Sequence, residues 1–228
     1  MHDNFQRGHK YPGVFISFEG GEGVGKTTHI SLLQKYLESQ GHEVVSTREP
    51  GGTIIGEKAR SLILDPENKG MGVRAELFLF QASRAQLVDE LIRPSLEEGK
   101  VVLTDRFYDS TFVYQGLAGG MDMDDVRHAV RIAVDGVHPD LTFLLDGSTE
   151  ASQVDGGEFG EGGDRMEQKG GDFHTNVYDR FRAHADAYGH KIKIIPYRSG
   201  AIDEMQGEVM GVVDRYLLFK ERLESLSS

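Results

Sequence analysis

The 228-residue sequence predicts an α/β fold in which helices cover both faces of a five-stranded parallel sheet. Short apolar runs alternate along the chain with longer segments of helical periodicity, an order that produces parallel strands joined by right-handed crossovers. A glycine-rich loop separates the first strand from the first helix, and charged residues follow the second and third strands. The predicted strands are 14–18, 43–47, 101–104, 140–146 and 191–195. The predicted helices are 27–40, 54–64, 74–98, 122–135, 172–189 and 202–226, with a short helix and a glycine turn over 108–120.

Local signals set the limits of these elements. The first helix carries one apolar stripe and is followed by Gly41, which is placed for a C-cap. Asp65-Pro66 ends the second helix and Gly99 the third, because Pro and Gly do not continue a helix easily. Acidic residues open the helix that begins at Asp122, where they interact favourably with the helix dipole. Each of these four predicted helices therefore has a physical start or stop.

Composition restricts the function classes. A hydrophobic fraction of 38% with 27% charged residues is typical of a globular protein, and the length suits one domain, although two small ones would also fit. The net charge of −12 repels nucleic acid and anionic lipid, so we expect a small-molecule partner, no nucleic acid and no membrane. The absence of cysteine excludes disulfides and is compatible with a cytoplasmic protein. Residues 1–12 are polar and basic, which predicts a flexible lead-in to a single domain over 13–228.

The glycine-rich loop matches the pattern G-x-x-x-x-G-K-[ST], the P-loop motif, through Gly20, Gly25, Lys26 and Thr27. Backbone amides of such a loop cradle phosphates at a helix N-terminus, the Lys reaches the outer phosphates and the Thr hydroxyl ligates magnesium. A plain glycine-rich turn is the alternative, but the flanking strand and helix favour nucleotide binding. The predicted nucleotide-binding residues are Gly20, Gly21, Glu22, Gly23, Val24, Gly25, Lys26, Thr27 and Thr28.

Two other loops follow strands at the same predicted edge of the sheet, where ligands of open parallel sheets bind. Residues 48–53, with sequence Arg-Glu-Pro-Gly-Gly-Thr, follow the second strand, and an ordinary turn is the alternative there. Asp105 and Arg106 follow the third strand. A carboxylate and a guanidinium in that position suit magnesium or phosphate, because such charges are rarely buried without partners.

Other segments were ambiguous from the residues alone. Phe80 and Arg84 share a helical face and could stack and hydrogen-bond a base, but a core Phe beside a surface Arg is the commoner arrangement. Arg60 alone reads as a solvated charge. Residues 147–171 are rich in Gly and poor in apolar residues, which predicts a mobile lid over an active site. The nine His residues show no metal-ligand spacing.

Taken together, these segments resemble thymidylate kinases, a branch of the P-loop nucleoside-monophosphate kinases. The resemblance extends from about Gly13 to the last helix. Its most specific pieces are 18–20 with the P-loop, 48–53, 79–84, and 105–107 continuing to 114–116. Segments 139–142 and 164–167 are also similar.

The resemblance implies transfer of the ATP γ-phosphate to dTMP, with Mg²⁺ as cofactor and a homodimer packed through helices that include the long one over 74–98. It implies that Phe80 stacks on thymine and Arg84 bonds the base edge, which reverses the interpretation from the residues alone. It further implies that Tyr114 excludes a 2′-hydroxyl and Glu22 holds the 3′-hydroxyl. The complete implied dTMP site is Glu22, Arg48, Arg60, Phe80, Arg84, Arg106, Thr111, Tyr114 and Gln115.

The same resemblance assigns the catalytic groups. Lys26, Arg106 and magnesium would neutralise charge on the transferred phosphoryl group, and no strong general base is needed because the acceptor is already an ionised phosphate oxygen. Thr27 and Asp105 are the residues expected at the metal site. Asp105 would bind a water molecule coordinated to the metal or would orient an Arg. Arg48 and Arg60 would join Arg106 at the dTMP phosphate.

The lid departs from the family pattern. Residues 148–164 contain no Lys or Arg, and Arg165 is the first cation, with Lys169 next. Either Arg165 carries the lid's role alone, or turnover is slow, or a different segment supplies the charge. If Arg165 does so, we expect it to act as an arginine finger supplied in cis. The alternative is a structural pair of Arg165 with Glu167 and Asp172 at the next helix.

Two other functions remain open from the residues. The first is a kinase for another nucleotide or deoxynucleoside on the same fold. The second, from a different class, is a regulatory nucleotide switch. Guanine-selective switches usually carry N-K-x-D, whereas Asn68-Lys69 is followed here by Gly70 and Met71.

Overall fold

The computed structural model of the protein describes residues 8–147, 163–169, 171–187 and 192–227. The predicted lead-in and lid fall partly outside these ranges, at 1–7, 148–162 and 170. Residues 8–12 contact the domain: the Tyr11 hydroxyl accepts a hydrogen bond from Arg93 Nη1 at 3.1 Å, and Lys220 Nζ donates to the Pro12 carbonyl at 2.6 Å.

A single five-stranded parallel sheet forms the centre of the molecule, as predicted. Its strands are β1 (Val14–Glu19), β2 (Val44–Arg48), β3 (Val101–Asp105), β4 (Leu141–Asp146) and β5 (Ile192–Pro196). Their order across the sheet is β2-β3-β1-β4-β5. Asp105 pairs in register with Phe18 on one side and Arg48 on the other, so the loops that follow β1, β2 and β3 leave the sheet at the same edge.

Helices join the strands. They are α1 (Lys26–Ser39), α2 (Ile54–Leu64), α3 (Val73–Leu87), α4 (Arg93–Glu97), α5 (Tyr108–Thr111), α6 (Met123–Val134), α7 (Gly171–Ala187) and α8 (Ile202–Ser227). Wider, π-type turns continue α3 over Val88–Ile92 and α5 over Phe112–Leu117.

The helical segment predicted over 74–98 is confirmed, but its hydrogen bonding is not α-helical throughout. The α-helical hydrogen bonding stops at Leu87 and resumes at Arg93. Pro94 supplies the physical reason, because its ring has no N–H and would clash with the carbonyl four residues earlier in a regular helix. The widened turn accommodates the proline while the chain continues in the same direction.

Two apolar layers flank the sheet, and alternation along the strands assigns residues to them. Ile16 and Leu103 pack toward α1 and α8, in a cluster with Leu33 and Val209. The alternate residues of the same strands point to the other face of the sheet and pack toward α3 and α6. This second cluster contains Phe15, Val102, Leu77 and Val130. The prediction of helices on both faces is therefore confirmed. Across the described helices we find none with both the length and the apolar character that a membrane crossing requires.

Candidate active site

A cavity of about 480 Å³ opens at the edge of the sheet where the loops after β1, β2 and β3 meet. Side chains from α2, α3 and the 163–169 segment close its other sides. The lining residues are Glu22, Gly23, Gly25, Lys26, Thr27, Thr28, Arg48, Glu49, Pro50, Arg60, Leu64, Phe80, Arg84, Asp105, Arg106, Phe107, Ser110, Thr111, Tyr114, Gln115, Asp164, Met166 and Glu167. The structure thus brings the separately predicted segments to one place. We call the P-loop side, residues 20–28, the donor end, and the side lined by Phe80, Arg84, Thr111 and Gln115 the acceptor end.

The P-loop has the backbone conformation that its glycines allow. Gly20 has φ +137° and Gly25 has φ +85°, in the left-handed region where glycine is favoured. A Cβ at Gly20 would also lie 2.5 Å from the carbonyl oxygen of Leu145. Gly25 precedes α1 without a side-chain cap, so the first amides of the helix are available to an anion. The loop is therefore built for a phosphate group.

Lys26 is buried at the donor end. Its Nζ lies 2.6 Å from the carbonyl oxygen of Gly21 and 3.4 Å from that of Gly20. Burial, followed by the nearby positive charge of Arg106, lowers the pKa of Lys26, and the surrounding carboxylates act in the opposite direction. The ammonium is thus held against the loop.

Thr27 and Asp105 come together at the start of α1 and the end of β3. The Thr27 hydroxyl donates a hydrogen bond of 3.0 Å to Asp105 Oδ2. Mg²⁺ prefers oxygen ligands and usually takes one or two from the protein, with water and substrate phosphates completing the octahedron. A hydroxyl and a carboxylate beside a phosphate-binding loop fit that ion.

Arg106 lies between the two ends of the cavity. It is one of two described non-glycine residues with positive φ, at +69°. Its Nη1 donates to the Gly20 carbonyl at 2.8 Å, its Nη2 contacts Glu22 Oε1 at 2.6 Å, and its guanidinium carbon is 5.4 Å from the centroid of the Tyr114 ring. A strained residue that is held by several partners is typical of a functional position.

Glu19 is a buried site residue that the sequence reasoning missed. It accepts hydrogen bonds from the Phe107 amide at 2.8 Å and the Ser110 hydroxyl at 2.5 Å. Burial, reinforced by the negative charge of Asp109, raises the pKa of Glu19 to about 8. Through these bonds Glu19 holds the turn that carries Arg106. A carboxylate at the end of a fully buried strand was the available signal.

Arg84 is a buried charged side chain at the acceptor end, at 1% exposure. It pairs with Glu49, with Nη2 2.5 Å from Oε2, and its Nη1 donates to Gln81 Oε1 and to Thr111 Oγ1, both at 2.9 Å. Phe80 is half-buried and lines the cavity four residues away on α3. The surface Arg that the residues alone favoured is therefore wrong, and both side chains are placed to contact a ligand.

Arg48 and Arg60 also line the cavity, near the loop after β2. Arg48 Nη2 is 3.0 Å from Glu57 Oε1, and Arg60 Nη1 donates to the Pro50 carbonyl at 2.9 Å. Arg60 is thus not the solvated charge that its local sequence indicates. Both guanidinium groups are within the wall expected to meet an acceptor phosphate.

Arg165 occupies a different place from the one expected of an arginine finger. It is not among the lining residues and is 6% exposed. Its Nη2 is 2.6 Å from Glu76 Oε2 on α3, and its Nε donates to the Ile63 carbonyl at 2.6 Å. In this structure Arg165 fastens the 163–169 segment to α2 and α3, and the finger role stays a prediction that requires this ion pair to break.

Comparison with known proteins gives a consistent result. A family model described as thymidylate kinase matches residues 18–209. A thymidylate kinase of Symbiobacterium thermophilum is 42% identical over 204 residues, which cover 90% of this chain and 94% of that protein. One from Thermoanaerobacter is 42% identical over 211 residues, covering 90% of this chain and 99% of its own length. The crystal structure of thymidylate kinase from Ehrlichia chaffeensis superposes with a TM-score of 0.72 at 33% identity and covers 88% of this chain and 98% of that one. The chain belongs to the thymidylate kinase family.

Proposed function

We propose that the chain transfers the γ-phosphoryl group of ATP to dTMP within this cavity, giving dTDP and ADP. The observation that carries the proposal is that one cavity joins a P-loop to a wall containing Phe80 and Arg84, with Arg106 between them. Membership of the thymidylate kinase family supports the same reaction. A kinase for another nucleotide would need a different acceptor wall.

At the donor end, the amides of the P-loop and of the first turn of α1 bind the phosphates of ATP. Lys26, already directed into the loop, exchanges its carbonyl partners for phosphate oxygens. Thr27 and Asp105 would hold Mg²⁺ directly or through water. When bound, the ion neutralises phosphate charge and helps align the nucleotide.

At the acceptor end, Phe80 stacks on the thymine ring and Arg84 donates to its edge. Tyr114 crowds the 2′ position of the sugar, and Glu22 accepts from the 3′-hydroxyl. Thr111 and Gln115 complete the wall around the base, and both line the cavity. Arg48 and Arg60, which line the same cavity, meet the acceptor phosphate.

Transfer itself depends on positioning and charge. Arg106 contacts the P-loop at Gly20 and lines the same cavity as the acceptor wall, so its guanidinium can bridge both substrates. Lys26 stabilises the outer oxygens of the transferred group. The acceptor oxygen is ionised at neutral pH, so no side chain has to remove a proton from it.

The homodimer and the cytoplasmic location are further parts of the proposal. Phe78 on α3 is 67% exposed and Ile132 on α6 is 72% exposed, and these two helices pack together on one side of the sheet. Apolar side chains on that surface support a partner copy there. Sedimentation equilibrium measures the oligomeric state, and a Phe78→Glu variant should shift the protein toward the monomer. The cytoplasmic location is supported by the absence of cysteine.

A coupled ADP-release assay with ATP and Mg²⁺ tests the reaction across dTMP, dUMP, dCMP, AMP and GMP. We expect dTMP to give the highest kcat/KM and EDTA to abolish turnover. A preference for a purine monophosphate, or ADP release that no acceptor accelerates, would overturn the proposal.

A further inference from the structure

We infer that Glu76 determines which pyrimidine the acceptor end selects, by fixing the amide of Gln115 so that its carbonyl oxygen is presented to an N–H group of the base. This inference rests on the proposed dTMP kinase function and deepens it. Gln115 lines the cavity, whereas Glu76 does not. Glu76 is therefore a positioning residue that acts through Gln115.

The contact between the two residues is direct and buried. Gln115 Nε2 donates to Glu76 Oε1 at 2.8 Å, and each residue is 1% exposed. Glu76 projects from α3 and Gln115 from the wide turns after α5, so the bond joins two separate elements of the cavity wall. The amide of Gln115, which lines the cavity, thus has a fixed polar neighbour in a residue that does not line it.

Two cations keep the carboxylate of Glu76 ionised. Lys169 Nζ is 3.0 Å from each carboxylate oxygen, and Arg165 Nη2 is 2.6 Å from Oε2. Burial alone would raise the pKa of Glu76, but the Lys169 charge and the hydrogen bonds from Gln115, Lys169 and Arg165 outweigh it and lower that pKa below its usual value. The carboxylate is therefore ionised at neutral pH.

An ionised carboxylate has acceptors and no donor, so it can bind only the NH₂ end of the amide. The carbonyl oxygen then occupies the other corner of the planar group. Without Glu76 the amide could turn over and present either end to the cavity. A buried protonated acid or a neutral amide at position 76 would no longer distinguish the two orientations.

The fixed amide completes a pattern with Arg84, whose guanidinium carries donors only. One donor and one acceptor at the wall match thymine, which has an acceptor oxygen at O4 beside the N3–H donor. Cytosine presents the reverse, an amino donor at C4 and an acceptor at N3. A site built to hydrogen-bond one edge leaves buried groups unpaired with the other, which is the physical basis of strong discrimination.

Arg165 and Lys169 acquire a role from this arrangement. Both belong to the 163–169 segment, which packs against the acceptor end through Glu76. The charge of Lys169 and the hydrogen bonds from both residues keep Glu76 ionised, and the ionised carboxylate keeps Gln115 oriented. The 163–169 segment therefore contributes to selection of the base.

The decisive experiment compares kcat/KM for dTMP and dCMP in the parent and in Glu76→Gln. We expect the dTMP preference to fall by about 10- to 100-fold, through a higher KM for dTMP and a lower one for dCMP, while the KM for ATP stays unchanged. Gln168→Ala is the matched control, because Gln168 bonds Gly163 within the same segment at 2.8 Å and does not line the cavity. It should leave the preference at the parent value.

An unchanged preference in Glu76→Gln, or an equal loss in the Gln168→Ala control, would overturn the inference. If Glu76→Gln does not fold, the double variant Glu76→Gln, Gln115→Glu tests the inference instead. It keeps one buried carboxylate and again presents a hydrogen-bond acceptor to the base. We expect this double variant to keep the preference for dTMP over dCMP. Equal kcat/KM values for dTMP and dCMP in the double variant would contradict the inference. A parent chain that phosphorylates neither pyrimidine would instead reject the proposed function.

Discussion

At the donor end of the cavity the groups directed at a ligand are backbone amides on a loop of nine consecutive residues, whereas at the acceptor end they are side chains from α3 and the turns after α5. The donor end depends on conformation, since Gly20 and Gly25 have positive φ. The acceptor end depends on buried charge pairs such as Arg84 with Glu49. Substitutions at the donor end should therefore change rate with little loss of stability, and substitutions at the acceptor end should change both.

Arg106→Ala tests the connection between the ends and should have the largest effect. We expect kcat to fall by about 10³, as when an arginine that stabilises transferred-phosphoryl charge is removed. Single-turnover rates at saturating ATP and dTMP measure it. Arg127→Ala is the control, because Arg127 makes an exposed pair with Asp124 on α6. A variant within about tenfold of the parent would remove Arg106 from the transfer step.

Lys26→Ala tests the donor end alone. We expect kcat to fall by about 10² or more, because a preorganised charge is lost, with a nearly unchanged unfolding midpoint. Lys35→Ala, on the exposed side of the same helix, is the matched control. Near-parent turnover in Lys26→Ala would contradict the assignment, and a large loss of stability would contradict the contrast between the two ends.

Arg84→Lys tests the acceptor end while keeping a cation beside Glu49. Removing the cation altogether, as in Arg84→Leu, would leave Glu49 buried and uncompensated, at a cost of about 3–5 kcal/mol in stability. Lys cannot reproduce the guanidinium fork, so we expect dTMP binding to weaken by about 1–3 kcal/mol with ATP binding unchanged. Titration calorimetry with each nucleotide measures both. A parallel loss for ATP and dTMP would show that Arg84 serves the fold rather than the base.

Glu19→Gln tests the buried carboxylate behind Arg106. The pKa of Glu19 is raised from 4.5 to about 8 in the folded protein, so between these values the native state binds the extra proton. This contribution to stability is fully present below pH 4.5 and is lost as pH rises through 8. The charged groups around Glu19 are Asp109, Arg106 and Lys26, and Tyr114 is a nearby neutral phenol whose pKa burial raises to about 12.

The parent should therefore lose up to about 1.4 kcal/mol of unfolding free energy per pH unit across that window, relative to Glu19→Gln. Urea unfolding of both proteins from pH 5 to pH 8 provides the measurement. Parallel profiles would mean that Glu19 does not titrate there.

Arg165→Ala should have the smallest effect on rate, because Arg165 pairs with Glu76 and does not line the cavity. Loss of the ion pair with Glu76 should lower stability by about 1–3 kcal/mol and leave single-turnover rates within a small factor. An arginine finger would instead lower kcat by about 10³ with little change in dTMP affinity. Lys169→Ala is the nearby control, and equally small rate effects in both variants would reject the finger.

The sequence by itself determined the parallel sheet, the helices on both faces and the donor end. These features follow from local signals: hydrophobic periodicity, and a glycine loop of consecutive residues between a strand and a helix. Pro94 was also a local signal, and it explains why the helix predicted over 74–98 is interrupted at 88–92. The resemblance to thymidylate kinases supplied Phe80, Arg84 and Gln115 as acceptor residues, which periodicity alone had not distinguished from core and surface.

Only the tertiary structure decided how those side chains are held. Arg165 meets Glu76 across 89 positions of sequence, and Ser110 meets Glu19 across 91. No local pattern marks such a pair, because the free energy of burying a charge depends on which partner the fold brings beside it. For the same reason Arg165, which was expected at the cavity, instead pairs with Glu76 on α3. Glu76 has no distinguishing local sequence pattern, yet the fold places it between Arg165 and Lys169.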